Sequence, residues 1–406
     1  MRKILLLTFT LILSHFGYSQ GNTWEKIGDW PGLKRTRAVA FAIGDYGYAG
    51  TGVDTAEKTH NDWWKYDPTI DTWTQVSDVP GSVRRNAVSF VIGENGYVGT
   101  GIDTNVSDFG IKQSDFYVYN PDANIWSPIA SYPGGGGLGV YQATGFAVGN
   151  SGFVACGKIG PDNYLEELWE YQQSTNTWIA RPPFPGGDRH QLSSFALENK
   201  GYVGMGTDHD LYRKDWWQYN PTTFSWTEVS SLPGTERSSA TTFVLGSRAY
   251  VVFGSDGGVM KECWEYNPFS DSWNVKANYG GSARKYGVAF SIGDTAYAGL
   301  GQGFTGKKQS WYKYIPAGPL EIGEEEPFSM TVFPNPVTEA SLVSLSHQTQ
   351  SGFLTIHDLS GRMVFNTVFE SNNISLSGTH LESGQYVLSI ADRQANYLGS
   401  TKIFVQ

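Results

Sequence analysis

Phe, Trp and Tyr make up 15% of the 406 residues, which is enough large apolar surface for a sizeable core. The 49 glycines and 18 prolines stay below the ~25–30% typical of low-complexity or collagen-like chains, so the glycines indicate tight turns. A formal net charge of −10 argues against a nucleic-acid-binding protein, which needs a basic surface.

The first predicted element is a targeting segment. Two basic residues precede an apolar run, Ile4 to Leu13, and the small residues Gly17 and Ser19 follow it. This order predicts a signal peptide at residues 1–19, removed on export. The alternative is a membrane anchor, but ten apolar residues are too few to cross ~30 Å of hydrocarbon, so we predict no transmembrane segment.

A repeat of about fifty residues comes next. Each repeat ends at a tryptophan, and these lie 47 to 53 residues apart: Trp24, Trp73, Trp126, Trp178, Trp226 and Trp273. Between them recur a Gly-containing turn, an alternating strand, an aromatic-led run ending in Gly, a variable loop and an aromatic strand before a turn. Each unit therefore predicts four short β-strands.

The ends of the repeat array indicate a closed ring. Such units bury both faces only by packing against neighbours around an axis. The sixth unit stops at Pro316 without a closing tryptophan, whereas an unmatched strand stands at the N-terminus, Asn22 to Ile27. We predict that this N-terminal strand pairs with the last unit.

The repeats resemble the kelch family over about 295 residues, from Trp24 to Pro316. The shared motifs are an Arg before the first strand, a Gly-ended second strand, a Tyr-Asp/Asn-Pro turn and the closing Trp. The family's Gly-Gly doublet is here Gly-x-Gly, as at Gly50 and Gly52. The resemblance implies an all-β, six-bladed kelch-type β-propeller at residues 20–316. It implies no single function, because kelch propellers include enzymes, adhesion modules and scaffolds.

Composition shifts after the repeats. Residues 317–327 are acidic and contain Pro and Gly, as in a linker, and residues 328–406 contain no Trp. Short alternating strands predict a small C-terminal β-sandwich: Met330 to Phe333, Phe353 to Asp358, Met363 to Phe369, Gln385 to Ala391 and Ser400 to Val405.

Four segments of this tail resemble the C-terminal sorting domain of the type IX secretion system: Val332 to Val337, Ile356 to Arg362, Leu381 to Val387 and Thr401 to Val405. The resemblance implies the secretion machinery as a partner and export across the outer membrane of a Bacteroidetes-type cell after periplasmic transit. It also implies removal of the tail, with release or attachment at the cell surface. The alternative is an ordinary accessory sandwich.

Two rings of residues are expected on one face of the propeller, where the segment before each first strand meets the loop after each second strand. We call this the loop face. Counting back from the first-strand Phe, the arginine ring lies six residues before: Arg35, Arg84, Arg189, Arg237 and Arg284, with Val140 in the third unit. The inner ring lies four residues before: Arg37, Asn86, Gln142, Gln191, Ser239 and Tyr286.

Both rings are candidate ligand-binding residues. Guanidinium groups can bind a carboxylate or sugar hydroxyls, with Tyr286, Tyr141, Tyr164 and Phe304 as stacking surfaces. Alternatively, the arginines pair with repeated loop aspartates and hold the blades together: Asp54, Asp103, Asp208 and Asp256. We favour this second interpretation for the arginine ring, which recurs in nearly every unit. The inner ring varies between units, which favours ligand contact there.

No metal and no cofactor are predicted. His190 and His209 share a unit with Asp208 and Asp210, so zinc or copper ligation remains an alternative, but the spacing matches no metal motif. The two cysteines lie two units apart, at positions 156 and 263, and are expected to be buried free thiols.

Three hypotheses for function remain open. The first is a non-catalytic module, secreted or displayed on the cell surface, that binds a glycan or protein at the loop face. The second is a cofactor-free carbohydrate-active enzyme, because similar bacterial kelch proteins include a sialic-acid mutarotase; Arg37 and Glu166 are its candidate acid–base pair. The third is a structural role in a surface layer. An enzyme should gather charged residues at the axis, whereas a binding module keeps aromatics on the loop rims.

Overall fold

The computed structural model describes residues 22–107, 109–209, 211–316, 330–338, 340–345, 351–359, 362–377, 379–393 and 397–405. The signal peptide predicted at residues 1–19 and the linker predicted at residues 317–327 lie outside these ranges. The chain forms two compact units, Met1–Ala317 and Gly318–Gln406.

The first unit is a six-bladed β-propeller of four-stranded antiparallel sheets. The strands of blade 1 are Val39–Ile43, Tyr46–Gly50, Trp63–Asp67 and Thr72–Val76. Those of blade 2 are Val88–Ile92, Asn95–Gly99, Phe116–Asn120 and Ile125–Pro128. Those of blade 3 are Thr144–Val148, Ser151–Ala155, Leu168–Gln172 and Thr177–Arg181.

The other three blades repeat this order. The strands of blade 4 are Ser193–Leu197, Lys200–Gly204, Trp216–Asn220 and Ser225–Val229. Those of blade 5 are Thr241–Leu245, Arg248–Val252, Cys263–Asn267 and Ser272–Lys276. Those of blade 6 are Val288–Ile292, Thr295–Gly299, Trp311–Ile315 and, from the start of the described chain, Thr23–Lys26.

The N-terminal strand supplies the outer edge of blade 6. Thr23 to Lys26 pair antiparallel with Ile315 to Tyr312. The Trp24 ring packs against Tyr279 and Tyr314, with ring centroids 5.0 and 4.9 Å apart. One sheet therefore joins the two ends of the repeat array.

Burial within a blade is greatest in the second strand and least at the rim. First strands alternate buried and half-buried residues, second strands are almost wholly buried, and outer strands are mostly exposed. The first-strand phenyl ring of one blade lies against the second strand of the next. A Cβ on Gly96 would stand 2.1 Å from Cζ of Phe41, so glycine at this position permits the close packing of blades.

Short hairpins and bridges decorate the loop face. The two-residue strands lie before the first strands or between the second and third strands of their blades: Arg35–Thr36, Val53–Asp54, Ile102–Asp103, Ile111–Lys112, Thr207–Asp208, Leu211–Tyr212, Arg284–Lys285, Gln302–Gly303 and Gly306–Lys307. Within the described residues, the one helical element is the 3₁₀ turn Gly135–Gly137 before blade 3. The described part of the chain has no helix of the length and apolar character needed to span a bilayer.

The second unit is a β-sandwich. One sheet contains Met330–Phe333, Leu342–Leu345 and Asn373–Ser375, and the other contains Met363–Phe369, Gly352–Asp358, Gly384–Asp392 and Tyr397–Val405. Buried side chains of both sheets form its core, among them Val343, Ile374, Leu354 and Leu388. Two of its strands, Leu342–Leu345 and Asn373–Ser375, are absent from the sequence prediction.

Candidate functional site

The inner ring is a closed circle of backbone hydrogen bonds. The N–H of each ring residue donates to the carbonyl of the ring residue in the preceding blade, at 2.8 to 3.2 Å, and Arg37 closes the circle onto Tyr286. All six ring residues have φ between 54° and 60°, a left-handed conformation that is rare outside glycine. The sequence-predicted ring positions therefore meet at the loop-face end of the axis, which we call the mouth.

Four inner-ring side chains contact one another across the mouth. The Arg37 guanidinium lies over the Tyr286 ring, 4.1 Å from its centroid. Gln191 donates from Nε2 to the Tyr286 hydroxyl at 2.9 Å, and its Oε1 accepts from Ser239 Oγ at 2.9 Å. This chain of contacts joins blades 1, 4, 5 and 6 and forms one side of the mouth.

The other side of the mouth has unsatisfied polar atoms. Among the described residues, Nδ2 of Asn86 and Oε1 of Gln142 are buried and have no hydrogen-bond partner. Nε of Arg85 and Nδ1 of His190 are also buried without a partner. Both residues directly precede an inner-ring residue. Buried polar groups are normally satisfied by protein, water or ligand. Blades 2, 3 and 4 thus leave polar atoms beside the mouth without a protein partner.

The arginine ring lies beneath the surface and not in the mouth. Its five side chains are between 0 and 4% exposed. Four of them pair with acids that directly precede the third strand of the same blade: Arg35 with Asp62, Arg84 with Asp115, Arg189 with Asp215, and Arg237 with Glu262. The fifth, Arg284, donates to Ser310 Oγ at 3.1 Å.

The prediction that the loop aspartates pair with the arginine ring was wrong. The four predicted aspartates instead bond elsewhere: Asp54 to His60, Asp103 to Thr59, Asp208 to Arg213 and Asp256 to the Gly258 N–H. The arginine side chains brace single blades, because their acids belong to the same blade. The link between blades is made by their carbonyls, which accept from a glycine N–H of the preceding blade at 2.8 to 3.1 Å.

Blade 3 shows how the structure compensates for a missing arginine. Val140 is fully buried, and the acid of this blade, Glu167, accepts instead from the Gly135 N–H at 3.0 Å and from Trp169 Nε1 at 2.9 Å. The Gly-rich segment before this blade therefore supplies the donor that arginine supplies elsewhere.

A basic pocket lies at the edge of the mouth, between blades 1, 2 and 6. Its volume is about 210 Å³, and it is lined by Thr36, Arg37, Val53, Glu57, Arg85, Lys285, Tyr286, Gln302 and Lys307. Four of the nine are cationic. The one acid, Glu57, already pairs with Lys307 at 2.6 Å. A chain with net charge −10 thus concentrates positive charge at this point.

The cationic groups of the mouth repel one another. Burial, and then the charge of Arg37, lower the pKa of Arg85. Burial also lowers the pKa of Lys158. The charge of Arg37 lowers this pKa further, whereas Asp162 raises it. Burial followed by Lys158 and Arg37 lowers the pKa of His190 to about 4, so this imidazole is neutral at pH 7. An anion in the mouth would relieve this repulsion.

Three of the four predicted stacking aromatics contact the mouth. Tyr286 lies beneath Arg37, Tyr164 stacks on His190 with centroids 4.8 Å apart, and Lys158 Nζ is 5.6 Å from the centroid of Tyr141. Phe304 lies outside, at the tip of a blade 6 hairpin. The mouth therefore places aromatic faces beside cations and amides.

Sequence reasoning missed several mouth residues. The cations Arg85 and Lys285 directly precede Asn86 and Tyr286, and Lys158 follows a second strand. Counting five residues back from the first-strand Phe finds Arg85 and Lys285, together with Tyr141 and His190. The sequence therefore carried a signal for these residues, one position before the inner ring.

A small acidic cluster lies on blade 4. Asp188, Asp208 and His209 have potential ligand atoms within 4.8 Å of one another. Arg213 already binds Asp208 at 2.6 Å and neutralises its charge. His190, which the sequence grouped with these residues, stacks on Tyr164 and is not part of the cluster.

Both cysteines are free and buried, as expected. Burial raises the pKa of Cys156 and of Cys263, so neither thiol is a reactive thiolate. They belong to the packed interior of blades 3 and 5.

Comparison with known families identifies the second unit. Residues 331–406 match the family described as secretion system C-terminal sorting domain. The C-terminal unit is a secretion sorting domain. Its match supports export through the type IX system, as its sequence motifs implied.

Within the sorting domain, Asn335 holds the last strand. Its Oδ1 accepts from the Phe404 N–H at 3.0 Å, and its Nδ2 donates to the Lys402 carbonyl at 3.4 Å. The Val337 N–H donates to the Phe404 carbonyl at 2.6 Å. The Asn335 amide thus mimics a neighbouring strand and covers the outer edge of the terminal strand.

The propeller is similar to a solved structure described as "Structure of YjhT". That chain is 15% identical, with a TM-score of 0.60, and the match covers 79% of this chain and 99% of that one. At this identity the similarity supports the propeller fold alone. No curated protein sequence matches the chain.

Proposed function

We propose that this protein is a non-catalytic binding module, secreted or displayed on the cell surface, whose loop face binds a carboxylate-bearing glycan. The observation that carries the proposal is the basic pocket with its neighbouring unsatisfied polar atoms. A guanidinium such as Arg37 can take a carboxylate through paired hydrogen bonds. The free atoms of Asn86 and Gln142 suit sugar hydroxyls, which both donate and accept.

The lining of the axis supports binding over catalysis. An axial cavity of about 230 Å³ is lined by three residues from each blade, all of them Ala, Val, Leu, Gly, Ser or Thr. No charged side chain lines this cavity, and the aromatic Phe304 stands exposed on the loop rim, as expected for a binding module. Glu166, the candidate acid–base partner of Arg37, is exposed and is not among the residues that line the basic pocket.

The finer assignments are part of the same proposal. We infer that residues 20–316 are a kelch propeller, since the recurring Arg, Gly and Tyr positions have matching roles in successive blades. We also infer that residues 1–19 are a signal peptide and residues 317–327 a linker. Export then runs through the periplasm to the outer surface, where the sorting domain is removed.

Calorimetric titration of the chain from Gln20 to Gln406 tests the proposal. D-galacturonate and N-acetylneuraminate should bind, and neutral D-galactose should bind at least tenfold more weakly, because it lacks the carboxylate. Arg37→Gln should abolish the preference, and glutamine already occupies this ring position in blades 3 and 4. Lys200→Gln, at the start of the second strand of blade 4 and away from the mouth, is the matched control. Equal binding of galactose and galacturonate, or no binding of either acid, would refute the proposal.

Proton NMR of His190 gives a second measurement. Its pKa of about 4 reflects burial and the nearby cations Lys158 and Arg37. A bound carboxylate offsets those charges and favours the imidazolium, so saturation with galacturonate should raise the pKa of His190. An unchanged pKa in the saturated protein would place the acid outside the mouth.

A further inference from the structure

A hairpin of blade 6 carries an exposed aromatic next to the basic pocket. Gln302–Gly303 pairs with Gly306–Lys307, and the two-residue tip holds Phe304, which is 94% exposed. Gln302 and Lys307, which pair with each other in this hairpin, both line the pocket. Phe304 therefore follows the pocket residue Gln302 by two positions in the chain and precedes the pocket residue Lys307 by three.

The hairpin is fixed in place. The Lys307 side chain is 8% exposed, and its ammonium donates to the Asp54 carbonyl and pairs with Glu57 at 2.6 Å, both in blade 1. Lys308 Nζ donates to Thr305 Oγ1 at the tip, at 2.9 Å. A ring held on a rigid tip loses little conformational freedom when a ligand stacks on it.

We propose that Phe304 is the stacking platform of a second sugar subsite, so that the ligand is an acidic oligosaccharide, a chain of uronate residues. This inference rests on the proposed function of the mouth. The pocket volume of about 210 Å³ is below the ~300–1,000 Å³ of sites that enclose a drug-sized ligand, so it takes one charged sugar and leaves the rest outside. The phenyl ring then covers the apolar face of the next sugar.

The distribution of charge favours a polyuronate over a singly charged ligand. Arg37 and Arg85 lie in the pocket, and Lys158 lies across the mouth, close enough that the charge of Arg37 lowers its pKa. A uronate chain carries one carboxylate on every sugar. Successive carboxylates can therefore meet successive cations while the sugar rings meet Phe304.

Titrations with galacturonate and tetragalacturonate test this inference. Wild-type protein should bind the tetramer at least tenfold more tightly than the monomer. Phe304→Ala should weaken tetramer binding roughly fivefold to tenfold and change monomer binding less than twofold. Phe109→Ala is the matched control, because Phe109 is 91% exposed in the loop of the equivalent hairpin of blade 2, whose strand residues do not line the pocket. It should change neither affinity.

The outcomes separate the two proposals. No binding of galacturonate or of tetragalacturonate to the wild-type protein would refute the proposed function for uronates and this inference with it. Galacturonate binding combined with an unchanged tetramer affinity in Phe304→Ala would leave the proposed function intact and overturn the second subsite.

Discussion

The residue two positions before each outer-strand Trp lies where neighbouring blades meet. These six residues have φ between 45° and 67°: Asn22, Asp71, Asn124, Asn176, Phe224 and Asp271. In five of them one side-chain oxygen accepts from the hydroxyl of a tyrosine of the same blade and also from a backbone N–H of the adjacent blade. We call this pair of hydrogen bonds a clip. Asn124 accepts from Tyr119 and Ser77 in this way, each at 2.9 Å.

Phe224 is the exception, and its neighbours explain it. The backbone group that it faces belongs to Pro182, which has no N–H to donate. The equivalence is clear from Trp226, whose Nε1 donates to the Pro182 carbonyl at 3.0 Å as Trp126 does to Ser77. Among the described residues, the Tyr219 hydroxyl is left buried without a partner. One seam of the ring thus lacks its clip.

Restoring half of this clip should stabilise the propeller. Phe224→Asn places an acceptor opposite the Tyr219 hydroxyl, and asparagine tolerates the left-handed backbone well. We expect a gain of about 1 kcal/mol in the free energy of unfolding, measured by chemical denaturation. Asn124→Ala, which removes a complete clip from another seam, should cost about 1–2 kcal/mol. A destabilised Phe224→Asn variant would contradict this account of the seam.

The inner ring could be found from the sequence because every blade presents it at a fixed distance from a first-strand Phe. Its chemistry could not be derived in the same way. Whether Arg35 or Arg37 reaches solvent depends on which residues pack above each of them, and the spacing of two positions carries no such information. The acids that pair with the arginines precede the third strand, at the end of loops whose lengths differ, so counting did not align them.

At the level of strands, the repeat predicted the propeller well because each blade buries the same positions against its neighbours. The sorting domain lacks such repetition. Its strands Leu342–Leu345 and Asn373–Ser375 are only four and three residues long, and they lie at inner and outer positions of a three-stranded sheet. Leu342 to Leu345 reads Leu-Val-Ser-Leu, with no alternation, and Asn373 to Ser375 has a single apolar residue, so neither segment carries the pattern of a strand.

The strand Thr23–Lys26 makes a specific contribution to stability. Deleting residues 22–29 removes the four residue pairs between this strand and the third strand of blade 6, and the packing of Trp24 against three aromatic rings. The deletion removes the half-buried Trp24 and the buried Ile27, and loss of a fully buried Trp alone costs about 3–5 kcal/mol, so we expect a marked fall in the thermal unfolding temperature. Glu25→Ala is the control, because this half-exposed side chain makes a surface pair with Lys313 worth less than about 1 kcal/mol. An unchanged unfolding temperature after the deletion would show that the ring does not depend on this strand.

At the scale of the whole molecule, the proposed binding site and the sorting domain belong to different units. The sorting domain accounts for residues 331–406, and the mouth residues all lie in the propeller. Deleting Thr331 to Gln406 should therefore trap the protein in the periplasm of a cell with a type IX system, as judged by immunoblotting of periplasmic, surface and medium fractions. Phe304→Ala, which keeps the tail, should be exported normally. Normal export of the truncated chain would show that residues 331–406 are not needed for secretion.

The circle of six hydrogen bonds at the mouth has a consequence for protein engineering. It consists only of main-chain groups, so these six bonds between blades do not depend on the side chains of Arg37 and its five counterparts. The six positions can therefore be varied jointly among residues that tolerate their left-handed backbone, as a combinatorial library on a constant scaffold. Such a library would yield affinity reagents for new small acids or peptides, already equipped with a route to the outside of the cell.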